Sequence, residues 1–240
     1  AAVNAADLAD HTGVVAGPGG LTPPLAVLLH ALARLAPLEA VDAVGLVAAA
    51  AAGRAGVAEL SQQVFSLLRQ QPTTVERFPA VLAFDALPWV GDPAAPAPVD
   101  DTDAASPTED ATVAELRRVL GALAPPDINL FFAYIPVFAG HSLAVRVRLG
   151  GRVDHAQVLR VLAQTPGFAR APVDDGDAPF PHVARAVEDD AVHVGRVRVS
   201  PAGGSDTQTD VRLWLVFDPV RQAALNALGI IEALAAAELV

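Results

Sequence analysis

This 240-residue sequence predicts an α+β fold: a mixed, largely antiparallel sheet with helices on one face. Two alternating runs, LAVRVRL at 143–149 and AVHVGRVRV at 191–199, set arginines on one side of a strand and valines on the other. Amphipathic segments with leucine at helical spacing separate the earlier strands, whereas the late strands follow one another as hairpin-like pairs. Hydrophobic residues make up 52% of the chain but aromatic ones only 5%, so the core must be assembled from small aliphatic side chains.

The first helix is predicted from Thr22, where threonine can cap and Pro23 and Pro24 suit the first turn. Leu25, Leu28, Leu29 and Leu32 line one side, Arg34 suits the negative end of the dipole, and Pro37 stops the helix. Residues 40–49 read as a buried strand with Val41, Val44 and Val47 among small residues. A second helix runs from Arg54 to Gln70, with Val57, Leu60, Val64, Leu67 and Leu68 on one face. Residues 78–90 read as irregular or partly extended, and residues 91–107 as an acidic loop rich in proline and alanine. A helix is predicted from Thr108 to Leu123 and strands at 128–138 and 143–149. A helix over 154–164, strands at 191–199 and 212–218, and a closing helix from about Pro219 complete the chain.

Composition removes several function classes. The 16 basic residues, all arginine, face 27 acidic ones for a net charge of −11, which leaves no electrostatic footprint for nucleic acid or an anionic membrane. Cysteine is absent, which excludes disulfides, thiolate metal sites and cysteine nucleophiles. His155, His182 and His193 are too scattered for a zinc site, and Asp100, Asp101 and Asp103 with Glu109 and Asp110 read as a solvated loop rather than a calcium site. The apolar C-terminal stretch is interrupted by Asn226, Glu232 and Glu238, so it reads as a buried helix, not a membrane span. No basic region precedes an apolar run at the N-terminus, which makes the cytoplasm the default compartment. Methionine is absent as well, which predicts an upstream segment. Trp89 and Trp214 are expected to be packing residues. The paired arginines read either as a solvated sheet face or as a face that meets a second copy of the chain.

Six segments, in linear order, resemble the catalytic and dimerisation part of aspartate-semialdehyde dehydrogenases. They are VNAADLADHTGVVAGPGG, GRAGVAEL, FPAVLAFDALP, IPVFAGHSLAV, VGRVRV and LWLVFDPVRQAALNALGIIEAL. The resemblance implies a dimerisation domain over residues 1–218 and a closing helix over 219–240 that packs on an upstream dinucleotide-binding domain. That domain is absent from these 240 residues, which carry no GxGxxG. In the family, an acyl-enzyme forms on a cysteine thiolate, hydride passes to or from NADP, and phosphate cleaves the thioester. A histidine is the acid/base, a glutamine holds the acyl carbonyl, and an arginine pairs with the substrate carboxylate.

Carried onto this sequence, the motif is largely erased. The nucleophile position falls on Gly20, the glutamine position on Val47 and the carboxylate-binding arginine on Tyr134. Glu109 matches a substrate-contacting glutamate, but the lysine expected two residues later is Ala111. Only the acid/base histidine is retained, as His141, and Asn226 falls where the closing helix meets the cofactor. GPGG at 17–20 reads as a turn before a helix in preference to an anion cradle.

The expectation is therefore a non-catalytic relative, similar to Usg-type members, that dimerises through its sheet face and binds no cofactor within this chain. The alternative is the C-terminal part of a working NADP-dependent enzyme of amino-acid biosynthesis. A weaker third reading is a hydrolase or lyase built on His141 with Glu109. The closing helix, apolar almost all round, requires cover from a missing upstream segment or from another polypeptide, and the missing methionine favours the former.

Overall fold

The computed structural model describes residues 3–91, 106–170, 179–204 and 206–238. After a short 3₁₀ turn at Ala5–Asp10, the chain forms α1 (Thr22–Ala33), β1 (Leu38–Val47), a second 3₁₀ turn (Ala49–Ala52) and α2 (Gly53–Leu68). There follow α3 (Pro107–Leu120), β2 (Asp127–Tyr134), β3 (His141–Leu149), α4 (His155–Ala163), β4 (Phe168–Arg170) and α5 (Val183–Ala186). The chain continues with β5 (Val192–Pro201), β6 (Thr209–Phe217) and α6 (Pro219–Ala236). Asp100, Asp101, Asp103 and most of the acidic loop at 91–107 lie outside the described residues.

The strands make one sheet in the order β2-β1-β3-β6-β5-β4. The three central pairings are antiparallel, and parallel pairs close the two ends, β1 with β2 and β4 with β5. The predicted α+β class therefore holds. On one face Val41, Ala43, Leu143, Val145, Val147, Val211, Leu213 and Leu215 are buried under α1 and α4, whose Leu25, Leu28, Leu29, Leu32, Val158 and Leu162 join the same core. Deep placement of so many aliphatic side chains is the main stabilising term.

Boundaries shift where backbone amides find other partners. Thr22 does not cap α1: Leu21 occupies that position without a side-chain bond, and the threonine hydroxyl donates to Glu115 instead. β1 stops before the alanine run because the amides of Ala49 and Ala50 donate to Val137 and Phe138, at 2.8 and 3.0 Å. The strand predicted to reach residue 138 ends at Tyr134, two residues before Pro136, which has no amide to extend a ladder. The closing helix starts at Pro219, with Asp218 accepting the amides of Val220 and Arg221 at 2.9 and 3.2 Å.

Among the described residues, no helix covers most of the other sheet face. Strand register lays its side chains out in rows. One row reads Asn129, Asp42, Arg146, Arg212, Arg198 from β2 to β5, and the adjacent row reads Phe131, Val44, Ala144, Trp214, Gly195. Trp214 is thus a half-buried member of this open face and not a core residue, because its strand position alternates outward. Asp210, in a third row, has a side chain only 2% exposed and takes ion pairs from Arg146, Arg148 and Arg212 at 2.8, 3.2 and 3.1 Å. Burial pushes its carboxyl up, but the hydrogen bonds and charges of Arg146 and Arg148 outweigh that and hold it below the usual carboxylate range.

Replacing Asp210 with alanine leaves three guanidinium groups crowded on the sheet without their shared anion. The arginines keep 33–39% of their side-chain surface exposed, so the loss is expected at about 2 kcal/mol, below that of a fully buried pair. Urea unfolding of Asp210→Ala against the parent chain measures it.

Candidate functional site

The positions singled out by resemblance gather at one end of the sheet. β1 ends at Val47, which pairs with Tyr134 at the end of β2, while β3 begins at His141, which pairs with Phe217 at the end of β6. Gly20 comes to the same end, since a Cβ added there would lie 3.7 Å from the Cβ of Pro219, the first residue of α6. That separation is ordinary van der Waals contact, so a side chain at residue 20 would fit. Glu109 reaches this end as well, accepting the amide of Phe132 on β2 at 2.6 Å.

His141 is 3% exposed, and its Nδ1 accepts the Ala48 amide at 3.2 Å. The proton of the neutral ring therefore sits on Nε2. Gly140, with φ +83°, delivers the chain into β3, and a Cβ there would lie 2.5 Å from Val183 on α5. Phe217 stands edge-on to the imidazole at 5.8 Å. Burial lowers the His141 pKa to about 4, against smaller opposing effects of the Gly140 backbone and the Asp218 charge. At neutral pH the ring is uncharged and its lone pair is committed to an amide. It can donate through Nε2, but it can act as a base only by giving up Ala48.

The other positions are occupied structurally. Glu109 is 7% exposed and closes a capping box, its carboxylate taking the Ser106 amide at 2.6 Å as well as that of Phe132. Tyr134 is buried against Phe78, ring centroids 5.1 Å apart, and burial raises the pKa of its phenol. Val47 offers only its backbone, the carbonyl accepting the Ile135 amide at 3.0 Å. No described hydrogen bond joins Glu109 to His141, as a hydrolase or lyase built on that pair would need.

One carboxylate at the site was not singled out by the sequence. Glu115, on α3, accepts the Gly19 amide with both oxygens at 3.0 and 2.9 Å and also takes the Thr22 hydroxyl. The glycine turn does present an amide to an anion, and that anion is the protein's own. No sequence signal marks this contact, because the partners are 96 residues apart. Beside it, Glu115, Arg118, Gly17, Pro18, Asn226 and Ile230 line part of a groove of about 720 Å³. Asn226 approaches Gly17 closely, its Nδ2 lying 3.4 Å from where a Cβ on that glycine would stand.

The resemblance implies NADP as the family's cofactor. The Gly19 amide, three residues ahead of α1, is already taken by Glu115, and a phosphate placed there would meet that carboxylate's charge. Among the described residues no group of three or more His, Asp or Glu side chains is placed to hold a metal ion, and no helix is long and apolar enough to cross a membrane.

Comparison with known proteins identifies the family and the fold. The family described as semialdehyde dehydrogenase, dimerisation domain, matches residues 29–222. A USG-1 protein homolog of Pseudomonas aeruginosa is 38% identical over 172 residues, covering 71% of this chain and 47% of its own length. Aspartate-semialdehyde dehydrogenase of Rickettsia bellii is 27% identical over 222 residues, 92% of this chain and 62% of that protein. The chain thus spans about half to three-fifths of the length of these curated relatives. Among solved structures, a probable aspartate-semialdehyde dehydrogenase from Pseudomonas aeruginosa superposes with a TM-score of 0.82 at 31% identity, over 97% of this chain and 66% of that one. Aspartate semialdehyde dehydrogenase II from Vibrio cholerae, complexed with ASA, gives 0.83 at 28% identity, over 98% and 66%.

The state of His141 makes a prediction about acid stability. Its folded pKa of about 4 lies below the ordinary 6.5, so the unfolded chain binds more protons between those values and stability falls as pH drops through that window. In His141→Asn the amide oxygen can still accept from Ala48 but does not titrate. The parent is expected to lose about 3 kcal/mol relative to that variant between pH 7 and pH 4, read from denaturant unfolding at both values.

Proposed function

The chain belongs to the semialdehyde dehydrogenase family, matching its dimerisation domain over residues 29–222, and on that premise we propose a non-catalytic homologue that acts as a dimerising and interaction domain. The single observation that carries this reading is Gly20. The position that should present the nucleophile has no side chain although the structure has room for one. No acyl-enzyme can form on glycine. The likeness to the USG-1 protein homolog supports the same reading.

The surrounding residues follow suit. Val47 cannot hold an acyl carbonyl and Tyr134 cannot form a bidentate charge pair. His141 keeps the acid/base position but spends its lone pair on Ala48. In this reading residues 1–218 form the dimerisation domain, residues 219–240 the closing helix, and an upstream dinucleotide-binding domain covers that helix. Exposed Val220, Leu225, Leu228 and Ile231 on α6 support the need for such cover. The chain takes no cofactor by itself, works in the cytoplasm, and pairs with a second copy through the open sheet face. The alternative, part of a working NADP-dependent aspartate-semialdehyde dehydrogenase, draws on the relatives' names alone.

An activity assay separates the two. Aspartate semialdehyde, phosphate and NADP are mixed with the longest natural form of the protein, and the absorbance of reduced cofactor is followed. No turnover is expected; turnover that disappears in His141→Ala would overturn the non-catalytic reading. Gly20→Cys is expected to fold, since the new Cβ has ordinary contact distance to Pro219, yet to add little turnover given Val47 and Tyr134.

A further inference from the structure

Beyond α2 the chain runs from residue 71 to residue 91 without a helix or strand of its own. Connections of this length without secondary structure are uncommon inside a packed domain and often act as lids. Its inner side buries Phe78, Leu82, Leu87 and Val90, and Phe78 stands edge-on to Tyr134 with ring centroids 5.1 Å apart. Among the described residues it joins the sheet at one position, Leu87, which exchanges amide and carbonyl with Tyr134 at 2.9 Å in both directions.

Its polar anchor is a pair of side chains one turn apart on α2. Gln63, 0% exposed, accepts the amides of Leu82 and Ala83 at 2.8 and 3.2 Å and donates to the Thr74 carbonyl at 3.1 Å. It also donates to Glu59 at 3.0 Å, whose carboxylate takes the amides of Glu76 and Arg77 at 3.2 and 2.8 Å. The Gln63 amide is thereby saturated, as a buried amide must be. Directly beyond the pinned amides the chain turns back, Asp85 donating to the Leu82 carbonyl at 3.0 Å. Phe84, the third residue of that turn, is held at φ +66° and is 66% exposed. A left-handed residue at this position of a turn is favourable for glycine or asparagine and strained for a bulky side chain. The exposed ring recovers little of that strain by burial, so the Gln63 bonds and the Leu87 pairing hold it in place.

We propose that residues 74–90 form a lid over the Tyr134 end of the sheet, pinned by Gln63 and Glu59, loaded by the strained Phe84, and opening as a unit. The bonds converge on two neighbouring side chains, so their loss frees residues 74–83 together. The sheet beneath does not need to move, since β2 pairs with β1 from Asp127 to Tyr134. Opening lifts Phe78 and Leu82 away and brings water to the strand ends where Tyr134 pairs with Val47. The lid gates the candidate site from the β2 side, whether or not chemistry takes place there.

Tyr134 is the only tyrosine in the sequence and no cysteine competes, so its nitration by tetranitromethane reports opening directly. The reagent attacks the phenolate, and the burial that raises the phenol pKa keeps the closed form unreactive. Nitration is followed in the full 240-residue chain for the parent, Gln63→Leu and Phe84→Asn, beside urea unfolding of each. Gln63→Leu leaves the Leu82 and Ala83 amides without an acceptor and is expected to speed nitration about tenfold. Phe84→Asn relieves the strain, since asparagine tolerates the left-handed region, and is expected to slow nitration about threefold. The parent rate is expected to exceed what its urea-derived unfolding constant allows. Rates that follow that constant in all three proteins, that Gln63→Leu leaves unmoved, or that Phe84→Asn fails to slow overturn the lid. Should Gln63→Leu not fold, the parent and Phe84→Asn settle the question between them.

Discussion

A buried carboxylate organises the open face of the sheet. Asp210 lies on the sheet with its side chain 2% exposed, and three arginines from β3 and β6 close on it. Without that anion, Arg146, Arg148 and Arg212 would repel one another across adjacent strands. With it, they are fixed in rows, and Arg146 is shared with Asp42 on β1. The opposite face needs no such device, because aliphatic side chains from the helices fill it. One sheet thus serves two environments through the period of two along each strand.

The side chains at the sheet end are held in place by the backbone groups they satisfy. A strand end must satisfy its amides whatever reaction it once served. His141 satisfies Ala48, Glu109 satisfies Ser106 and Phe132, and Glu115 satisfies Gly19. Removing His141 or Glu109 would orphan a backbone donor at a buried site, at a cost of about 1–3 kcal/mol, whereas the Gly19 amide is exposed and could turn to water. Gly20 and Val47 carry no side-chain hydrogen bond that the fold requires.

The fold class, the amphipathic helices and the two-faced arginine strands were legible in the sequence, because periodicity of 3.6 or 2 is a local property. The Asp218 and Asp154 caps likewise sit directly before their helices, as local signals should. What was not legible depends on contacts between distant segments. Thr22 looked like a cap but donates to Glu115, and nothing near either residue announces the other. β1 was placed two residues late because alanines 48–50 are good strand or helix neighbours alike, and only Val137, Phe138 and His141 decide where their amides go. β4 is three residues long and carries no period at all. At the site, the resemblance located Gly20, Val47, Tyr134 and His141 at one sheet end, yet it could not show that Glu109 is spent on a capping box.

The two unfilled surfaces of the chain lie on opposite sides of it, and that placement limits how they can be used. α6 packs on α1 and on the first 3₁₀ turn, in the helical layer, and leaves Leu225, Leu228 and Ile231 exposed. The arginine rows lie on the far face of the sheet, with the whole hydrophobic core between. The exposed side chains of α6 and the arginine rows therefore belong to separate surfaces, divided by the aliphatic core.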